Sequence, residues 1–180
     1  MSPQESISTV RLRPSRTIPS RVLHFIDGEY VEGTTGRVFE KRCPVTGAVI
    51  AQVDEAGQAE VHAAVHAARA ALDGPWGLMP VAERADLLAK VADEIMRRFD
   101  DFLAAEVADT GKPASLAAHL DIPRGAANFK AFAEMVKTVS SEFFSTPTPD
   151  GAGAINYALR VPKGVIGVIC PWNLPLLLMT

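Results

Sequence analysis

Cysteine is nearly missing: 180 residues hold only Cys43 and Cys170, with no CxxC spacing. That excludes a disulfide scaffold or a zinc ribbon and, with no apolar h-region of a secretory signal, reads as a reducing, cytoplasmic protein. Neither sign of charge dominates. Lys and Arg number 18 against 21 Asp and Glu, a net charge of -3, which removes the basic face that nucleic-acid binding requires. No apolar run reaches the roughly twenty residues of a membrane span. The longest, "VIGVICPWNLPLLLMT" at 165–180, is broken by Pro171, Asn173 and Pro175, which argues against a membrane tail anchor. Internal repeats and the GxGxxG fingerprint are also missing. What is present, 48% hydrophobic and 22% charged residues, is the make-up of a globular protein long enough to bury a core.

The pattern changes along the chain. Residues 1–22 carry Arg11, Arg13, Arg16 and Arg21 against one acid, with prolines that break an amphipathic helix, and read as a disordered basic tail. From 23 to 144 short strands precede helices. Asp27-Gly28 between "FI" and "YV" signals a hairpin, and Gly33, Gly36 and Gly47 punctuate further turns. Val61, Val65, Ala68 and Leu72 share a helical face. Leu88, Val91, Ile95, Phe99, Phe102 and Leu103 do the same in a run that opens at Pro80 and stops at Gly111. Pro113 opens another helix, "DIP" at 121–123 kinks or restarts it, and Phe129, Phe132, Val136 and Val139 form the stripe expected to be buried. Residues 145–162 combine a Pro- and Gly-rich linker with the alternating "INYALR". In 163–180, "VIGVIC" suits a strand buried on both faces, which places Cys170 at a buried strand end.

"VPKGVIGVICPWNLPLLLMT", "FIDGEYVEGTTGRVFEKRCPVTGAVIAQV" and "DTGKP" together resemble the aldehyde dehydrogenase superfamily. "HLDIPRGAANFKAFAEMVKT" and "PTPDGAGAINYALR" narrow the likeness to the 2-aminomuconate and 2-hydroxymuconate semialdehyde dehydrogenases of aromatic-ring degradation. The resemblance implies an α/β fold, present as its N-terminal portion: short strands, helices, then the first strand of a Rossmann-like sheet, with "INYALR" in the oligomerisation arm of a dimer or tetramer. It implies NAD-dependent oxidation of a small acidic semialdehyde to its acid. In that chemistry a thiolate attacks the aldehyde, and preorganised donors stabilise the oxyanion.

By the resemblance, Asn173 of "PWN" is one such donor, although an Asn there also suits a helix cap. Ile169, Cys170, Pro171 and Trp172 correspond to the wall against the NAD ribose and nicotinamide; Trp172 equally suits a core. Arg124 occupies the place of the Arg that binds the substrate carboxylate, for which a guanidinium offers two parallel hydrogen bonds. Asp109, with carbonyls near Lys41 and Arg42, matches a monovalent-cation site, and also suits a simple turn. His62 and His66 stand at i, i+4 without a third zinc ligand. Lys41 and Arg42 favour a lowered pKa at Cys43, yet neither cysteine matches the family's nucleophile. The nucleophile and the general-base Glu belong to later parts of the family pattern, so the chain reads as a fragment expected to be inactive alone. A betaine-aldehyde or general aliphatic dehydrogenase, which has no need of Arg124, and a non-catalytic oligomerisation module are the alternatives.

Overall fold

The computed structural model describes residues 18–180. Strands β1 (Arg21–Val22), β5 (Val49–Asp54) and β4 (Val38–Arg42) form one sheet in the order β1-β5-β4. β1 lies parallel to β5, and β4 antiparallel to it with an irregularity between Lys41 and Arg42. β2 (His24–Ile26) and β3 (Glu29–Val31) form the expected hairpin. Asp27 and Gly28 both take positive φ, 53° and 83°, the condition for a two-residue turn matching strand twist.

Of the N-terminal tail, residues 1–17 lie outside the described residues, but the reading fails at 21–22, which pair as β1. Asp54 supplies the reason. It accepts two bonds from Arg21, at 2.8 and 2.9 Å, and one from the Gly33 amide at 2.8 Å. A two-pronged charge-assisted contact of this kind holds a strand too short to hold itself.

The helical layer comprises α1 (Gln58–Ala70), α2 (Pro75–Leu78), α3 (Val81–Arg97), α4 (Phe99–Thr110), α5 (Ala114–Leu116) and α6 (Ile122–Thr138). Glu60 caps α1, accepting from the Gly57 amide at 2.7 Å and the Thr34 amide at 2.6 Å. Hydrogen bonds from Thr34, then from the backbone amides, bring its carboxyl down to about 2. The long amphipathic run divides at Arg98, where φ is -100° and ψ 27°. No breaker marks that point in sequence; the turn lets Phe99, Phe102 and Leu103 enter the core together. Gly111, at φ 71°, ends α4 as expected. The "DIP" restart is a π turn, Ala117–Asp121, running into α6.

α3 and α6 pack side by side over a core of Ala92, Ile95, Leu103, Ala117, Ile122, Ala126 and Leu176. The periodicity of α6 misled in part. Ala126 and Ala133 are buried, Phe129 is half-buried, and Phe132, Val136 and Val139 are exposed. Small residues allow the close α3–α6 approach, and the larger ones lie on the flanks.

The expected strand in 163–180 is not formed. Residues 158–170 carry no regular secondary structure, Ile169 is 98% exposed, and Cys170 is exposed rather than buried. A strand buried on both faces needs ladder partners on both sides, and the described residues provide none. "INYALR" contributes β7 (Ala154–Tyr157), antiparallel to β6 (Phe143–Thr146), so the strand expected within 145–162 forms as one arm of a hairpin whose other arm begins at Phe143. The chain returns to the core only at 174–180, through turns that end in a 3-10 turn, Leu177–Met179, with the Leu178 amide on the Leu174 carbonyl at 3.0 Å.

Candidate active-site segment

Pro171–Thr180 is shaped by its leucines and prolines. Leu176 and Leu177 are buried, while Pro171 and Pro175 withhold two amides and keep the segment to a turn. Leu176 sits on Gly125, the fourth residue of α6. A Cβ placed on Gly125 lies 3.0 Å from Leu176 Cγ, so any larger residue there must push the leucine aside. At the far end Asn128 Nδ2 donates to Thr180 Oγ1 at 3.3 Å.

Asn173 lies on the outward side of this turn with an exposed side chain, while its backbone carbonyl accepts from Lys112 Nζ at 3.0 Å. Arg124, on the first turn of α6, is also exposed. The Gly125–Leu176 contact therefore brings together the elements carrying Arg124 and Asn173. Ile169, Cys170, Pro171 and Trp172 precede Asn173 as an exposed run, with Trp172 79% exposed. Cys170 Sγ lies 3.5 Å from the Leu178 carbonyl oxygen.

The side chains expected around a monovalent cation are paired within the chain. Lys41 Nζ pairs with Asp109 at 2.8 Å, and the Arg42 guanidinium bonds the Gly47 carbonyl at 2.9 Å. The Asp109 carboxylate thus has the chain's own ammonium as counter-ion. His62 and His66 are exposed on α1, and among the described residues no group of three His, Cys, Asp or Glu side chains is disposed to hold a metal. The Cys43 thiol is held below its ordinary value by hydrogen bonds from the Thr46 side chain and backbone, and only weakly by Lys41.

One polar cluster was missed by sequence reasoning. Lys112 Nζ also meets Glu106 Oε1 at 3.2 Å and bonds Asp121 Oδ2, and both carboxylates are buried. Burial pushes the Glu106 carboxyl up despite the ammonium beside it. Burial alone would lower the Lys112 pKa, but the bonds to Asp121 and Glu106 outweigh it and the net direction is up. A signal existed: Glu106 shares a helix face with Leu103, which is an unusual place for a carboxylate without a partner.

The fold is that of one family. The aldehyde dehydrogenase family model matches residues 30–180, and the chain belongs to that family. It is 66% identical over 159 residues to a 2-hydroxymuconic semialdehyde dehydrogenase of Pseudomonas sp. (strain CF600), covering 88% of this chain and 33% of that protein. A 2-aminomuconic 6-semialdehyde dehydrogenase of Pseudomonas sp. is 51% identical over 157 residues, covering 87% and 32%. The chain thus spans about a third of the length of the curated relatives it matches. A solved aldehyde dehydrogenase from Bacillus cereus superposes with a TM-score of 0.79 at 36% identity, over 88% of this chain and 32% of that one. An NAD+ complex of an aldehyde dehydrogenase from Bacillus cereus matches with a TM-score of 0.69 at 35% identity, over 76% of this chain and 27% of that one.

Proposed function

We propose that this chain is the amino-terminal part of an NAD-dependent dehydrogenase that oxidises an acidic semialdehyde of aromatic-ring breakdown, of the 2-hydroxymuconic or 2-aminomuconic kind, to its dicarboxylic acid. The 66% identity to the Pseudomonas enzyme carries this reading. Arg124 supports it: its exposed guanidinium, on the helix docked to the turn that carries Asn173, can offer a carboxylate two parallel hydrogen bonds. A substrate carrying a carboxylate as well as an aldehyde satisfies Arg124 at one end and leaves the aldehyde for Asn173 at the other.

In this reading the Asn173 side-chain NH₂ donates to the aldehyde oxygen as it gains negative charge, and the exposed run Ile169, Cys170, Pro171 and Trp172 would hold NAD. The cofactor bound there would supply the hydride acceptor for the oxidation. The nucleophilic thiol and the general base come from segments the relatives carry beyond the third matched here, and the assembled enzyme is a cytoplasmic homo-oligomer.

The test uses a chimera in which this chain replaces the matched third of the Pseudomonas CF600 enzyme, assayed by NADH formation. Arg124→Ala is expected to raise KM for the acidic semialdehyde at least tenfold, roughly the ~1.5–3 kcal/mol of a charge-assisted bond, and to leave KM for a neutral aliphatic aldehyde nearly unchanged. Equal effects on the two substrates would refute the acidic-substrate reading in favour of a general aldehyde dehydrogenase.

A further inference from the structure

Glu106, Lys112 and Asp121 take no direct part in the reaction proposed above, yet they bury two carboxylates and an ammonium. Such a cluster is costly unless its geometry is used. An ammonium has three donors, and the Lys112 side chain, 13% exposed, has an acceptor for each: Glu106, Asp121 and the Asn173 carbonyl oxygen. The carboxylates are local, six and nine residues away in sequence; Asn173 is 61 residues away. Among the described residues, no other side chain bonds Asn173. Asp121 belongs to the π turn that leads into Arg124, is fully buried, and has an Oδ1 atom without a partner. The cluster therefore joins the start of the helix carrying Arg124 to the backbone of the turn carrying Asn173.

We infer that Lys112 is a positioning residue: its ammonium, aimed by Glu106 and Asp121, fixes the Asn173 backbone so that the exposed amide meets the oxyanion. This rests on the reading of Asn173 proposed above. Misplacing a catalytic donor by about 1 Å costs about a hundredfold in rate, whereas a merely structural ion cluster affects unfolding and leaves turnover of the folded enzyme intact.

The chimera separates these roles. An apolar triple variant, Lys112→Met with Glu106→Met and Asp121→Leu, removes the buried charges together and is expected to unfold near the parent's midpoint. Its kcat is expected to fall roughly a hundredfold, with KM for semialdehyde and for NAD little changed. Lys112→Arg keeps the charge, but a planar fork does not face three differently directed acceptors. It is expected to fold and to lose kcat as well, and it decides the matter if the triple variant does not fold. A folded variant of either kind with the parent's kcat overturns the inference. Asn173→Ala distinguishes its failure from that of the underlying reading. If Asn173→Ala lowers kcat and Lys112→Arg then adds little, the two act as one unit. If Asn173→Ala lowers kcat and Lys112→Arg alone does not, the Lys112 role falls by itself. If Asn173→Ala leaves kcat intact, both fall.

Discussion

The contact between Gly125 and Leu176 gives the sharpest test of how the fold holds the site segment, because its energetics are worked from one distance and one cavity. Leu176 is 7% exposed among Leu103, Ile122 and Ala126, so Leu176→Ala falls in the ~2–5 kcal/mol range of core leucine truncations. One flank of Leu176 faces a cavity of about 530 Å³ that Pro175 and Met179 also line. The wall can relax there, which favours the lower part of that range, about 2–3 kcal/mol. Gly125→Ala removes backbone entropy from the unfolded chain and by itself stabilises a helix interior by roughly 0.5–1 kcal/mol. Its Cβ, however, lies 3.0 Å from Leu176 Cγ, and pushing that side chain aside offsets the gain. In the Leu176→Ala background the obstruction is gone, and Gly125→Ala should stabilise by the full ~0.5–1 kcal/mol. Urea unfolding of the four proteins, followed by far-UV circular dichroism, measures the coupling, with an expected interaction of about 1 kcal/mol. Additivity within ~0.3 kcal/mol would refute the argument that this glycine exists to let the turn dock.

Two further perturbations follow from equally local features. A Cβ on Gly77 would lie 1.7 Å from the Leu72 carbonyl oxygen, so Gly77→Ala must displace the turn between α1 and α2. It is expected to cost the upper part of the ~1–3 kcal/mol of overpacking and so to lower the thermal midpoint by several degrees; an unchanged midpoint would refute it. Glu60 is depressed to about 2 from an ordinary 4.5. The stability it contributes is complete above pH 4.5 and is lost as pH falls toward about 2, where the folded-state carboxyl takes up its proton. Glu60→Gln should therefore lower stability at neutral pH and flatten its decline over that acid interval. An unaltered acid limb in the pH profile of the unfolding midpoint would count against this.

What could be read from sequence was what local chemistry decides. Asp27-Gly28 and Gly111 were legible because a tight hairpin and a helix end each require positive φ. The helices were legible from their 3.6-residue period, and the family from the ordered motifs around "PWN" and "DTGKP". What escaped depended on distant partners. β1 forms because Asp54, 33 residues on, grips Arg21. The long amphipathic run breaks at Arg98 because the core accepts its aromatic residues only after a turn. "VIGVIC" has the composition of a buried strand and stays unpaired, since a strand is defined by neighbours rather than by its own residues. At the site, Asn173 and Arg124 were named from the resemblance, whereas the ammonium that bonds the Asn173 backbone was invisible, because Lys112 and Asn173 are related only through the folded core.

If the Asn173 amide stabilises the oxyanion of the reacting aldehyde, Asn173→Ala in the chimera should lower kcat by about 10²–10³-fold, the cost of removing one oxyanion donor, with KM for the semialdehyde little altered. A folded Asn173→Ala enzyme that turns over at the parent's rate would contradict that role.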